Sequence, residues 1–181
     1  MRSLSAAGRS SEPILVSQMI EQSESSQDVL KEGKAFYCQL VCYLTWIHIP
    51  ADAMSRPMFY LACQVCKRKV FQMVDQYRCE NCDKFYEDVV PTYNFRITVS
   101  DCSGSIDVGC FGEVGEAILG MSGAEFFNNY HEDLPKIKDL RQSLLFKQIA
   151  ITCRGKLDQY NQNQRPQAIK YQVIKVNEFD L

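Results

Sequence analysis

Two cysteine pairs constrain this chain more than any other feature. Cys63-Gln-Val-Cys66 and Cys79-Glu-Asn-Cys82 are each a C-x-x-C, and a spacer of twelve residues, KRKVFQMVDQYR, separates them. Two residues between paired cysteines let one tight turn aim both sulfurs at a common point. The spacer is long enough for a short hairpin that returns the chain to that point. Four soft donors at tetrahedral corners suit a zinc ion, with Zn–S bonds of about 2.3 Å. The pattern predicts one Zn2+ held by Cys63, Cys66, Cys79 and Cys82. Four thiolates close the coordination shell, so the ion is expected to be structural, because a catalytic zinc keeps a position open for water. The alternatives are two disulfides, buried free thiols or a redox C-x-x-C. The spacing and the odd total of nine cysteines count against the first two, and the lack of a βαβ pattern counts against the third.

The other five cysteines (Cys38, Cys42, Cys102, Cys110 and Cys153) sit in apolar, strand-like runs. A free thiol there behaves as a small buried hydrophobe, and the whole set predicts a reducing intracellular compartment. With 181 residues, 46% apolar and 23% charged, the chain can bury a core of its own. No apolar run approaches the roughly 18 residues of a membrane helix, and MRSLSAAGRSSEP lacks the apolar block of a secretory signal, so no membrane partner is expected. Residues 1–13 read as a disordered lead-in or cloning remnant. Residues 14–181 read as one domain with a zinc-ribbon insert at about 60–90.

Pro13–Leu30 fits either a short helix or an irregular segment. Phe36–Ile49, rich in aromatic and β-branched residues, predicts a long strand ended by Pro50, with residues 51–62 a connection into the cysteine segment. Thr92–Asp101 alternates Tyr93, Phe95, Ile97 and Val99 with Asn94, Arg96, Thr98 and Ser100, the period of a half-buried strand. Ser103-Gly104 signals a turn into a third strand, Ser105–Gly112. Helical turns are expected over Glu113–Leu119, Ala124–Tyr130 and Leu134–Ser143. A fourth strand follows at Leu144–Arg154, then a polar loop at Gly155–Gln167 and a fifth strand at Ala168–Asn177. A mainly β chain of five strands, with a short helical connection between the third and fourth, has the layout of an OB-fold barrel, here with an inserted zinc ribbon. A β-sandwich would need about seven strands.

The formal charge of −2 hides an asymmetry. Residues 141–175 hold seven basic residues against one acid, whereas residues 105–139 hold seven acids against two lysines. Phosphate binding depends on local positive potential, not on the chain total. Lys147, Arg154, Lys156, Arg165 and Lys170 are therefore candidate phosphate contacts. Arg96, on the outward face of its strand, is another. Single strands also need aromatic platforms for their bases. Phe111 shares a strand face with Asp107, beside the open space at Gly109, and Tyr160 lies in the polar loop next to Lys156. His48 and His131, the two histidines, lie far from the cysteine pairs. No acid–base pair or partnered nucleophile is visible, so no enzyme is expected.

Several segments, in one order, resemble a known family. They are FYCQLVCYLTWIH, CQVCKRKV, YRCENCDKFY, YNFRITVSD, GCFGEVGEAILG and YQVIKVNEFD. Over residues 36–180 the chain resembles the C-terminal DNA-binding domain of the replication protein A large subunit, an OB-fold with a zinc ribbon after its first strand. The resemblance implies single-stranded DNA binding without catalysis, a nuclear location, and assembly with the two smaller subunits of a heterotrimer. It places Phe111 and Tyr160 on stacking positions and matches the four zinc cysteines one for one. The family domain normally continues into a C-terminal assembly helix, whereas this sequence stops at Leu181. Telomere-directed paralogues belong to the family as well, and the Gln/Asn-rich NQNQ of residues 161–164 adds telomerase to the partners expected by resemblance.

Overall fold

A computed structural model describes residues 12–48, 58–129, 133–158 and 168–177. The chain divides into two compact units, neither continuous in sequence. One takes the residues up to Ile47, Arg96–Cys110 and the residues from Leu144. The other takes His48–Phe95 and Phe111–Ser143.

The first unit is a closed five-stranded barrel. It is built from β1 (Phe36–Ile47), the second half of β6 (Val90–Asp101), β7 (Gly104–Phe111), β8 (Gln148–Leu157) and β9 (Ile169–Asn177). The strand order is β1-β8-β9-β7-β6, and a β1–β6 pairing closes it. Closure leaves these strands without an open edge. Inward positions alternate along each strand: Cys38, Leu40, Cys42 and Leu44 on β1, Ile97 and Val99 on β6, Val108 and Cys110 on β7, Ile151 and Cys153 on β8, and Val173 on β9 are all buried. On β1 the alternation shifts by one. A bulge between Leu44 and Trp46 inserts Thr45, so the inward position passes to Ile47 and Trp46 faces out.

Helices α1 (Val16–Ser25) and α2 (Gln27–Lys31) occupy the segment whose sequence fitted either a helix or an irregular stretch. Val16 and Met19 are fully buried, and Leu30 nearly so. The N-cap position of α1 is Leu15, whose side chain cannot accept a hydrogen bond. The β6–β7 turn substitutes for it. Val16 N–H donates to Asp101 Oδ2 at 2.7 Å, and Ser17 N–H donates to Ser103 Oγ at 2.9 Å. Asp101 Oδ1 accepts from Ser103 N–H, Ser103 Oγ–H and Gly104 N–H. Burial pushes the Asp101 carboxyl up, but these bonds outweigh it and hold the group below the ordinary carboxylate range.

In the second unit β2 (Phe59–Ala62) pairs antiparallel with the first residues of β6. Tyr93, Phe95 and Phe126 form its aromatic core in edge-to-face contacts, with ring centroids 5.7 and 5.9 Å apart. Against them pack α3 (Glu113–Leu119) and α4 (Gly123–Asn129), and α5 (Leu134–Leu144) follows in the chain. Two glycines allow this packing. A Cβ at Gly115 would lie 2.6 Å from Tyr93 Cβ, and a Cβ at Gly123 would overlap the Pro91 carbonyl oxygen. The unit also holds a three-stranded ribbon of β3 (Phe71–Gln72), β4 (Tyr77–Cys79) and β5 (Lys84–Tyr86).

Four expectations need correction. Residues 59–62, read as part of a connection, form β2. The second barrel strand begins at Val90 and contains Pro91. The fourth strand starts at Gln148, because α5 runs to Leu144 and Phe146 adopts a left-handed backbone, with φ of 63°. That strand continues to Leu157, past the Gly155 that looked like a loop signal. Gly155 is a point of close approach instead. A Cβ there would meet Tyr171 and Ile169 side-chain atoms at 3.2 and 3.3 Å. Cys102 sits exposed in the β6–β7 turn, not inside an apolar run.

Candidate functional site

The two cysteine pairs come together in the ribbon. Cys63 and Cys79 are buried, Cys66 and Cys82 are half-buried, and the four Sγ atoms lie within 4.8 Å of one another. Individual separations are 3.5 Å for Cys66–Cys79 and 3.9 Å for Cys63–Cys82. Tetrahedral Zn–S bonds of about 2.3 Å require edges of about 3.8 Å. Each knuckle turns its chain with a left-handed residue just after its second cysteine: Lys67 at φ 58° and Asp83 at φ 49°. Val70, Leu61, Tyr77 and Val89 pack against the cysteines and keep water away.

The electrostatics of the quartet ask for a cation. Burial pushes the Cys63 thiol up, but the Cys66 N–H, the Tyr86 hydroxyl and the Val65 N–H outweigh it and bring it to about 6. Tyr86 Oη lies 3.3 Å from Cys63 Sγ. Cys66 is lowered too, first by the Arg68 N–H. Cys79 is raised by burial, and Cys82 is pushed up to about 12, first by its hydrogen bond to Cys66. As bare thiols, Cys63 and Cys66 are shifted down and Cys79 and Cys82 up. A divalent cation among them lets all four ionise together. The geometry and donor set therefore fit a tetrahedral, thiophilic metal ion.

Of the candidate phosphate contacts, Arg96, Arg154, Lys156 and Lys170 fall on the barrel's outward face. Thr98 Oγ1–H donates to Asp107 Oδ1 at 2.7 Å, and the Ser100 and Ser105 hydroxyls lie 2.7 Å apart. The antiparallel register those pairs set brings Gly109 opposite Arg96. Gly109 pairs with Gln172 on β9, and Gln172 pairs with Arg154 on β8. Arg96, Gly109, Gln172 and Arg154 thus form one lateral row across four strands. Arg154 Nη2–H donates to Gln172 Oε1 at 2.6 Å. Next to the row, Lys156 stands directly opposite Lys170, and Lys170 Nζ lies 3.6 Å from Asp158. Like charges in direct cross-strand register repel, which favours an anion beside them. Lys147 is exposed just before β8, at the strand's opposite end, so it does not join this group. Tyr160 and Arg165 lie outside the described residues, as does His131. Phe111, in the second unit, ends β7 and is 40% exposed.

Three exposed aromatics of the first unit escaped the sequence analysis: Tyr43, Trp46 and Phe146. Strict alternation along β1 turns Trp46 inward, and nothing in the local sequence announces the bulge. Phe146 read as an ordinary strand residue.

Residues 37–181 match the family described as "Replication factor-A C terminal domain". The chain belongs to this family. Among curated proteins, it is similar to the replication protein A 70 kDa DNA-binding subunit of Tetrahymena thermophila, with 33% identity over 125 residues, 67% of this chain and 18% of the relative. It is also similar to a probable replication factor A 73 kDa subunit of Caenorhabditis elegans, with 27% identity over 173 residues, 96% of this chain and 25% of the relative. The chain therefore spans a quarter or less of the length of these relatives. Two solved structures share the fold. One is a replication protein A heterotrimer bound to single-stranded DNA, with TM-score 0.75, 19% identity, and 96% of this chain and 37% of that chain covered. The other is a yeast replication protein A bound to single-stranded DNA, with TM-score 0.70, 18% identity, and 94% and 89% covered. The replication factor-A C-terminal fold is thus the frame on which the cysteine quartet and the basic row are mounted.

Proposed function

We propose that this chain is a single-stranded DNA-binding module of a replication protein A-type large subunit, and that it binds without catalysing a reaction. The observation that carries this reading is the outward row Arg96–Gly109–Gln172–Arg154, flanked by Lys156 and Lys170, on a closed five-stranded barrel. Two guanidinium groups with only a glycine and an uncharged glutamine between them form a cationic strip suited to a phosphate backbone. Lys147 and Arg165 take further phosphates, and Phe111 and Tyr160 stack bases at about 1–3 kcal/mol each. One Zn2+, held by Cys63, Cys66, Cys79 and Cys82, fixes the ribbon fold and does no chemistry on DNA.

The relatives are named as replication subunits, and the two similar structures are described as bound to single-stranded DNA, one of them as a heterotrimer. These descriptions support a role in DNA replication alongside partner subunits, and a nuclear location is part of the same proposal. The test is an anisotropy titration with labelled oligo(dT) and with a duplex, zinc being measured on the same sample. The expected result is salt-sensitive binding to the single strand in preference to the duplex, with one zinc per chain. No binding to either would refute the reading and leave assembly with partner subunits as the role.

A further inference from the structure

On the barrel's outward face, the β1 bulge brings out an aromatic side chain that no sequence pattern assigns. Trp46 is 44% exposed and Tyr43 is 47% exposed, although a regular strand cannot show both positions on one face. Phe146, 71% exposed, lies beside them. Its N–H donates to the Leu44 carbonyl at 2.7 Å, and the Leu44 N–H donates to the Lys147 carbonyl at 3.0 Å. These bonds tie residues 146–147 to β1 at the bulge. Phe146 holds a left-handed backbone there, which a non-glycine residue adopts only at a cost, and its ring is kept in solvent instead of in the core. Two irregularities, a bulge and a left-handed phenylalanine, thus expose aromatic rings at the same place.

The surroundings decide what such rings would meet. The in-register neighbours are Thr98 opposite Trp46, and Ser100 and Gln148 on either side of Tyr43. Arg96 lies two residues from Thr98 on the same face of β6, diagonal to Trp46. Exposed Lys147 follows Phe146. Flat π faces set among hydroxyls, an amide and two cations suit nucleobases better than the packed core of a protein interface. Asp107, hydrogen-bonded to Thr98, repels phosphate on the β7 side. The backbone of a bound strand is therefore directed toward Arg96 and Lys147. Resting on the single-strand reading above, we propose that Trp46, with Tyr43 and Phe146 beside it, is an additional base-stacking platform for single-stranded nucleic acid on the β1 face of the barrel.

Trp46 is the sole tryptophan, so its fluorescence reports on this position alone. The experiment titrates the 181-residue chain with unlabelled oligo(dT) while following tryptophan emission, and measures anisotropy with the labelled oligonucleotide in parallel. Quenching that saturates together with the anisotropy signal is expected. Trp46→Ala is expected to weaken binding by about 5- to 100-fold, Trp46→Phe to retain most of the affinity, and Phe146→Ala to weaken it several-fold. The exposed Phe146 gives a second variant should Trp46→Ala fold poorly. Normal binding by anisotropy without quenching, together with unchanged affinity in Trp46→Ala and Phe146→Ala, would overturn the platform and reassign the patch to a protein partner, while the single-strand reading stands. No binding by the unsubstituted chain would overturn both.

Discussion

At the residue scale, a few polar atoms decide whether the neighbouring structure holds. The Tyr86 hydroxyl beside Cys63 stabilises the thiolate form of a proposed zinc ligand. Tyr86→Phe is expected to leave the ribbon folded but to weaken metal affinity by about 10- to 100-fold, read by competition with a chromogenic chelator. Asp101 serves α1 in a comparable way. Its folded-state carboxyl lies below the unfolded value, so its ionised form adds stability above about pH 4. That contribution disappears as pH falls through the lower folded value. Urea midpoints should therefore drop on acidification in the unsubstituted chain. Asp101→Asn should start about 1 kcal/mol lower at neutral pH and lose this component of the acid drop. The cysteine quartet was legible because its spacing is local. The Asp101 cap was not, because donor and acceptor lie 85 residues apart and Leu15 carries no capping signal.

Among the elements, periodicity found what alternation controls and missed what close packing controls. The inward set Tyr93, Phe95, Ile97 and Val99 could be read directly from β6, and all four are buried. Gly155 was misread because a glycine that ends a strand and one that lets another strand approach look alike in sequence; only the Tyr171 and Ile169 side chains tell them apart. The exit of Trp46 from the core depends on the one extra residue at Thr45, which costs β1 a ladder position and has no compositional mark. Gly115→Ala places a methyl against Tyr93 and Phe95 and should cost about 1–3 kcal/mol, measured as a lower urea midpoint at constant m-value. On the outward row, Arg96→Ala and Arg154→Ala should each reduce the log–log salt slope of single-strand binding by about 0.7, the value of one phosphate contact. An unchanged slope in both variants would remove the row from the DNA path.

At the scale of the molecule, the nine thiols fall into three chemical classes. Cys38, Cys42 and Cys110 are pushed up to about 12 by burial inside the barrel, and Cys153 is raised well beyond the ordinary thiol value. With the proposed zinc in place the ribbon quartet is shielded until the metal is withdrawn, and Cys102 is exposed. Titration with a thiol reagent should therefore proceed in steps: Cys102 at once, the four ribbon cysteines after chelation, and the four barrel cysteines on unfolding. Early reaction of a barrel cysteine would contradict the closed barrel. The sequence could separate the ribbon quartet from the rest, but not Cys102 from the barrel group, since the residues flanking a turn and a strand end are similar in composition.

The strand order also fixes a sequence of events during synthesis. The ribbon closes on contacts within residues 61–89, so it can form, and take the proposed zinc, soon after that stretch leaves the ribosome. The β1 strand pairs Phe36 with Gly155, more than a hundred residues later in the chain. Its Cys38, Leu40, Cys42 and Leu44 stay uncovered for most of translation, as a long apolar strand with a free edge. The nascent chain therefore carries a finished ribbon and an unfinished barrel at the same time. Chaperone binding during synthesis should map to residues 36–47.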